Sequence, residues 1–166
     1  NLGDFSLNDE RFFIYHEFLC ESSINNLLAT DISDVFIKKD PFSLGSIHSG
    51  LYFGADENII FKKNPWMIYK LKQLIHSGYP MRGIPKSLLD RGVANAGVIM
   101  GTREDLLEIF GEMLKVFEMV DNDLNHNMVA LNLSLNRLLP DYKVGYPFTS
   151  DFKKYQSWRD VYIVHK

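Results

Sequence analysis

Strands that alternate with amphipathic helices predict an α/β fold with a mixed, mainly parallel sheet flanked by helices. Three stretches carry that expectation. "TREDLLEIFGEMLKVFEMV" puts apolar residues at positions 106, 107, 109, 110, 113, 114, 117 and 120, which fall on one face of a helix. The apolar run from Asn26 to Ala29 reads as a buried strand with Asp31 at its carboxyl end, and "RGVANAGVIMG" reads as a strand whose small residues let a neighbour or ligand come close. A chain of 166 residues fits one domain around one core.

The remaining elements follow in order. Asn8 or Asp9 can cap a helix from about Glu10 to Glu21, in which Phe12, Phe13, Tyr15, His16, Leu19 and Cys20 recur at helical spacing. Past Asp31 and Asp34, Val35 to Ile37 are expected to return the chain to the core. A Gly- and Ser-rich loop, "SLGSIHSG", precedes the short strand "LYFGA". Pro65 suits the first turn of a helix running to Ser77, and Gly78 suits its stop. Thr102 can cap the long helix, with Glu104 and Asp105 favouring its positive end. A last helix, "NMVALNLSLNRLL", ends before Pro140, and "DVYIVHK" is the final strand candidate.

Charge and composition exclude several roles. Eighteen basic residues against 21 acidic ones give a formal charge of -3, and no stretch gathers enough Lys and Arg to bind a polyanion, so nucleic acid is not an expected partner. The single cysteine, Cys20, forbids an intrachain disulfide, fits a reducing compartment and sits where a core thiol is expected. No apolar run is long enough to span a bilayer, and "NLGDFSLNDE" lacks the pattern of a signal peptide, so a cytoplasmic protein is expected. The first residue is not Met and a helix begins almost at once, which suggests a piece of a longer product.

The stretch "LLATDISDVFIKKDPF" raises the chemical question, because Asp31 and Asp34 stand where a strand ends. In open α/β sheets ligands bind beyond the carboxyl ends of strands, where loops can present polar groups into a crevice. Hard cations such as Mg²⁺ or Mn²⁺ take carboxylate oxygens together with substrate phosphates, so this acid pair can hold a metal diphosphate. The same acids could instead satisfy turn amides. Phosphatases with an aspartyl nucleophile separate their two acids by one residue, whereas Ile32 and Ser33 both intervene here.

Five fragments in order, "TDISDVFIKKDPF", "GLYFGADENI", "NPWMIYKL", "ANAGVIMGTREDLLEIF" and "YIVHK", resemble glycosyltransferase-like proteins of the nucleotide-diphospho-sugar transferase (GT-A) fold, over most of the chain. The resemblance implies a metal-dependent glycosyltransferase, or a fragment of one, acting on a nucleoside-diphosphate sugar donor and a glycan or other hydroxyl acceptor. It places a divalent Mn²⁺ or Mg²⁺ on Asp31 and Asp34, with His165 of "IVHK" completing the metal shell. The acids stand three apart rather than in the usual D-x-D. Asn95, Ala96 and Gly97 then match the sugar and acceptor pocket. Asn127 and Asn132 stand where glycogenin-like enzymes carry an acid and an Asn, so Asn127 replaces the acid, with Asp121 and Asp123 close upstream. Asp56 and Glu57 are candidates for engaging the acceptor hydroxyl or acting as general base, as is Asp123; solvated loop acids are the plain alternative for all three.

The units that cradle the nucleobase in such a fold would precede the acid motif by most of a small domain, while thirty residues stand ahead of Asp31. The chain is therefore expected to be the C-terminal part of a GT-A domain. Two other classes remain open from the residues: a non-catalytic carbohydrate- or partner-binding module, and a metal-dependent phosphohydrolase.

Overall fold

A computed structural model describes residues 5–44, 50–120, 124–138, 142–152 and 160–166, with backbone alone for 57–59. The chain is α/β and forms two compact units. One comprises Asn1–Ser23, Ile60–Arg91 and Leu107–Pro140, and the other Ile24–Ile59, Gly92–Leu106 and Asp141–Lys166.

The first unit is helical. Helix α1 (Leu7–Glu21) starts two to three residues earlier than the sequence suggests, because Ser6 accepts the Asp9 amide hydrogen and leaves the Asp9 carboxylate for another use. Its buried Phe12 packs edge-on against Phe110, with ring centroids 5.4 Å apart, and Phe5 stacks on Phe13 at 4.6 Å. Leu19 takes the inward position in the last turn, which turns Cys20 outward; the expected core thiol is an exposed one.

Helix α2 (Pro65–His76) is capped by Asn64, whose Oδ1 accepts from the Trp66 and Met67 amides at 3.1 Å each, with Pro65 in the first turn. Gly78 follows it at φ +110°, a conformation that side chains with a Cβ rarely adopt. Helix α3 (Arg103–Glu118) begins at the expected cap: Thr102 Oγ1 accepts the Asp105 amide at 3.2 Å and donates to the Asp105 carboxylate at 2.7 Å. Helix α4 (Asn127–Leu138) is buried from Asn127 to Leu135, so it is the central helix of this unit.

The second unit is built on sheets. Strands β1 (Asn26–Thr30), β3 (Tyr52–Ile60), β4 (Gly92–Thr102) and β5 (Lys143–Val144) form a four-stranded sheet in the order β1-β4-β3-β5. Strands β2 (Val35–Ile37) and β6 (Ile163–His165) form a separate antiparallel pair, with Val35 opposite His165. Tyr52, Val98, Met100, Phe148 and Ile163 make the core, flanked by Leu28, Val35, Leu44 and Tyr162.

Three expectations change here. The four-stranded sheet is mixed but mostly antiparallel, rather than mainly parallel. The reason lies between β3 and β4: the Phe61 amide donates to the Arg91 carbonyl at 2.8 Å, so the excursion re-enters the sheet at the end it left. β1 is a half-buried edge strand rather than a buried one: among the described residues only β4 pairs with it. Phe36 and Ile37 do not return to the core but stand about half exposed on β2, which among the described residues pairs with β6 alone.

Candidate metal centre

Three donors converge in the sheet unit. Asp31 follows β1 and its amide donates to the Gly97 carbonyl at 2.8 Å, which extends the β1–β4 pairing by one residue and fixes where the carboxylate emerges. Asp34 immediately precedes β2, and the Lys166 amide donates to its carbonyl at 2.9 Å. His165 ends β6 with only 1% of its surface exposed. One ligand atom from each of Asp31, Asp34 and His165 lies within 4.8 Å of the others, and His165 Nε2 is 4.0 Å from Asp34 Oδ2.

The separations suit a shared cation. Two donors each about 2.1 Å from one ion can be no more than about 4.2 Å apart. The 4.0 Å contact falls inside that span, and rotation of the carboxylates can draw in the rest. Asp34 Oδ1 is buried and has no hydrogen-bond partner. A buried carboxylate oxygen left in that state is costly unless a cation or proton compensates it.

Glycines make the room. A Cβ at Gly97 would lie 2.5 Å from His165 Cε1, and 2.7 Å from both Asp31 Oδ2 and His165 Nε2. The imidazole and the carboxylate therefore occupy the volume that any other residue at 97 would fill. Gly54 on β3 repeats this more loosely, with its missing Cβ 3.4 Å from His165 Nδ1. The Phe152 ring lies against the imidazole with centroids 4.7 Å apart.

The other sequence-derived candidates are distributed as follows. Asn95 is buried on β4, and its Oδ1 accepts the Gly97 amide hydrogen at 2.8 Å, so its carbonyl oxygen shapes the strand beside the donors. Ala96 is buried. Asp56 and Glu57 lie inside β3 rather than in a turn after it, because that strand continues to Ile60; Asp56 is half-buried, and the Glu57 side chain is outside the described set. Asn127 belongs to the helical unit, where its side-chain amide donates to the Asn8 carbonyl at 3.5 Å and its own amide is accepted by Asn125 Oδ1 at 3.3 Å. Asn132 is tied to the Met128 carbonyl at 2.8 Å within α4. Asp121 and Asp123 lie outside the described residues.

Gly54, Ser150 and Phe152 were not singled out from the sequence. A glycine inside a strand signals close approach, so Gly54 was findable; Ser150 and Phe152 carry no such signal.

Comparison with protein-family models and with curated proteins finds no match for this chain. Among the described residues, no helix is long and apolar enough to cross a membrane.

Proposed function

We propose that the chain is a metal-dependent glycosyltransferase of GT-A type, or the C-terminal part of one, acting on a nucleoside-diphosphate sugar and a hydroxyl acceptor. The observation that carries the reading is the convergence of Asp31 and Asp34, from the loop between β1 and β2, with His165 at the end of β6. The ordered sequence resemblance to that fold supports it, and so does the glycine-lined space around the imidazole. Two carboxylates and an imidazole suit Mn²⁺ better than Mg²⁺, because nitrogen ligands favour the transition ion. A reducing, cytoplasmic setting agrees with the exposed single thiol of Cys20.

In this reading Asp31 and Asp34 each supply a carboxylate oxygen and His165 a ring nitrogen. A cation held by these three residues would supply Lewis-acid stabilisation of charge on a departing nucleoside diphosphate. Gly97 leaves the room that the imidazole and the Asp31 carboxylate occupy, and Asn95 holds the Gly97 amide in place. Asp56 on β3 is the proposed candidate for serving the acceptor hydroxyl, with Glu57 as a further candidate for that role. Ala96 on β4 is a further proposed substrate contact.

A thermal-shift titration with Mn²⁺, alone and with UDP or GDP, tests the proposal on the parent, Asp31→Ala and Asp34→Ala. Stabilisation that needs metal and nucleotide together and disappears in either variant is the expected result. Metal-indifferent glycan binding would favour a non-catalytic module, and turnover of a generic phosphate ester lost in Asp31→Ala would favour a phosphohydrolase.

A further inference from the structure

The imidazole of His165 can serve as a metal donor only if the end of β6 holds still, and the backbone there has an unusual partner. In the β2–β6 pair, Val35 stands opposite His165, while the amide of the next residue, Lys166, donates to the Asp34 carbonyl at 2.9 Å. Successive residues of a strand point their N–H and C=O groups to opposite sides. The Lys166 amide faces β2, so the N–H and C=O of His165 face away from it.

On that far side runs the segment after β5. Its main chain pairs with β6 through the Ile163 amide to the Phe148 carbonyl at 2.9 Å and the Ser150 amide to the Ile163 carbonyl at 3.0 Å. At His165 a side chain takes over from the main chain. Ser150 Oγ accepts the His165 amide hydrogen at 3.0 Å and donates to the His165 carbonyl at 3.2 Å. One hydroxyl thus serves both backbone groups of the residue. Ser150 is itself 1% exposed, so no water can readily replace it. Two residues on, Phe152 lies against the imidazole face, so one short segment holds both the backbone and the ring.

We propose that Ser150 is the positioning residue for the metal centre: its hydroxyl fixes the backbone of His165 so that the ring reaches the point shared with Asp31 and Asp34. The inference rests on the metal-dependent reading above. Partners of a metal ligand commonly change metal affinity by about 10–100-fold when removed. The hydroxyl matters because an apolar side chain of the same size would remove both of these hydrogen bonds to His165.

The test is Mn²⁺ binding, measured by titration calorimetry on the metal-free chain with no nucleotide present. Ser150→Ala is expected to weaken Mn²⁺ by about 10–100-fold. Ser150→Thr, which keeps the hydroxyl, is expected to restore most of that loss. Neighbouring Thr149 supplies the control: it is buried with an Oγ1 that makes no hydrogen bond, so Thr149→Val should leave the affinity unchanged. In a His165→Ala background, Ser150→Ala should have no further effect on affinity, because it acts through the imidazole. Should Ser150→Ala fail to fold, Ser150→Cys, with a weakly bonding thiol of similar size, carries the same comparison.

Full Mn²⁺ affinity in Ser150→Ala, or an equal loss in the His165→Ala background, would overturn the inference while leaving the metal centre standing. A parent chain whose Mn²⁺ binding ignores Asp31, Asp34 and His165 would overturn both.

Discussion

Asp9 in the helical unit and Asp34 in the sheet unit are both acids with a carboxylate oxygen turned inward, and the protein treats them in opposite ways. Asp9 is 2% exposed, and its two oxygens accept the His126 amide at 2.9 and 3.1 Å, at the amino end of α4. Asp34 keeps a buried oxygen with no hydrogen-bond partner and faces an imidazole 4.0 Å away. The first arrangement is complete within the chain, as expected of a side chain that ties two helices together. The second leaves one buried oxygen without a hydrogen-bond partner. That contrast separates a structural acid from a candidate ligand more clearly than burial or charge alone.

The contrast can be broken most severely at Gly97. Gly97→Ala would drive a methyl group into the His165 ring and the Asp31 carboxylate, and the ring is too buried to swing aside. The expected result is a loss of about 1–3 kcal/mol in chemical denaturation and the disappearance of any Mn²⁺-induced stabilisation. A variant as stable as the parent with Mn²⁺ binding intact would show that the donors do not use this space.

In the helical unit the next effect belongs to Arg137. Its guanidinium donates to Glu112 Oε1 at 2.8 Å, to the Gly83 carbonyl at 2.7 Å and to the Tyr79 hydroxyl. Burial pushes the Glu112 carboxyl up, but hydrogen bonds from Arg137 and Lys115 outweigh it and hold the group below its ordinary value. Its stabilising contribution is therefore present above the unfolded carboxyl value and is lost as pH falls through the lowered folded one. Arg137→Met should cost about 1–2 kcal/mol at neutral pH and flatten the acid limb of the stability curve. Mn²⁺ binding in that variant should match the parent; a change would mean that the two regions are not chemically separate.

Asp9 gives a smaller effect with the opposite pH sign. Burial raises its carboxyl above the ordinary value, opposed by the amide hydrogen bond from His126. The folded state then holds the proton more tightly, so this contribution is present in full below the unfolded value of 3.8 and is lost as pH rises through the folded value. Asp9→Asn keeps an oxygen for the His126 amide and cannot ionise; relative to the parent it should gain stability at neutral pH and not at the acid end. Asp9→Ala should lose about 1 kcal/mol, as a missing cap does. A parent whose stability rises through the same window relative to Asp9→Asn would contradict this assignment.

Asp34→Asn should show the smallest stability change, within about 0.5 kcal/mol without metal, because Asp34 receives no side-chain hydrogen bond at Oδ1 that the change would remove. The same variant should lose the response to Mn²⁺. This pairing of small structural and large ligand effects is the signature expected of a functional acid.

Local chemistry was readable from the sequence, and the three-dimensional pairing was not. Helix α3 was legible because its apolar period, Thr102 cap and first-turn acids agree, and α2 because Asn64, Pro65 and Gly78 punctuate it. The mainly parallel sheet was misjudged because alternating strands and helices look the same whether an excursion crosses the sheet or returns to the same end, as Phe61 and Arg91 make it do. Cys20 was misplaced because helical spacing cannot by itself choose between it and Leu19 for the inward position. At the site, the acid pair Asp31 and Asp34 is legible from its place after a strand and His165 only through a family resemblance, whereas Ser150 and Phe152 are not, since their roles depend on which segment lies beside β6.

The most direct measurement is pulsed electron paramagnetic resonance of Mn²⁺ added to the chain, read for coupling to imidazole nitrogen. The account predicts a nitrogen modulation in the parent that vanishes in His165→Ala and survives substitution of the other histidines. Mn²⁺ that binds with no nitrogen coupling, or with a coupling indifferent to His165→Ala, would contradict a centre built from Asp31, Asp34 and His165.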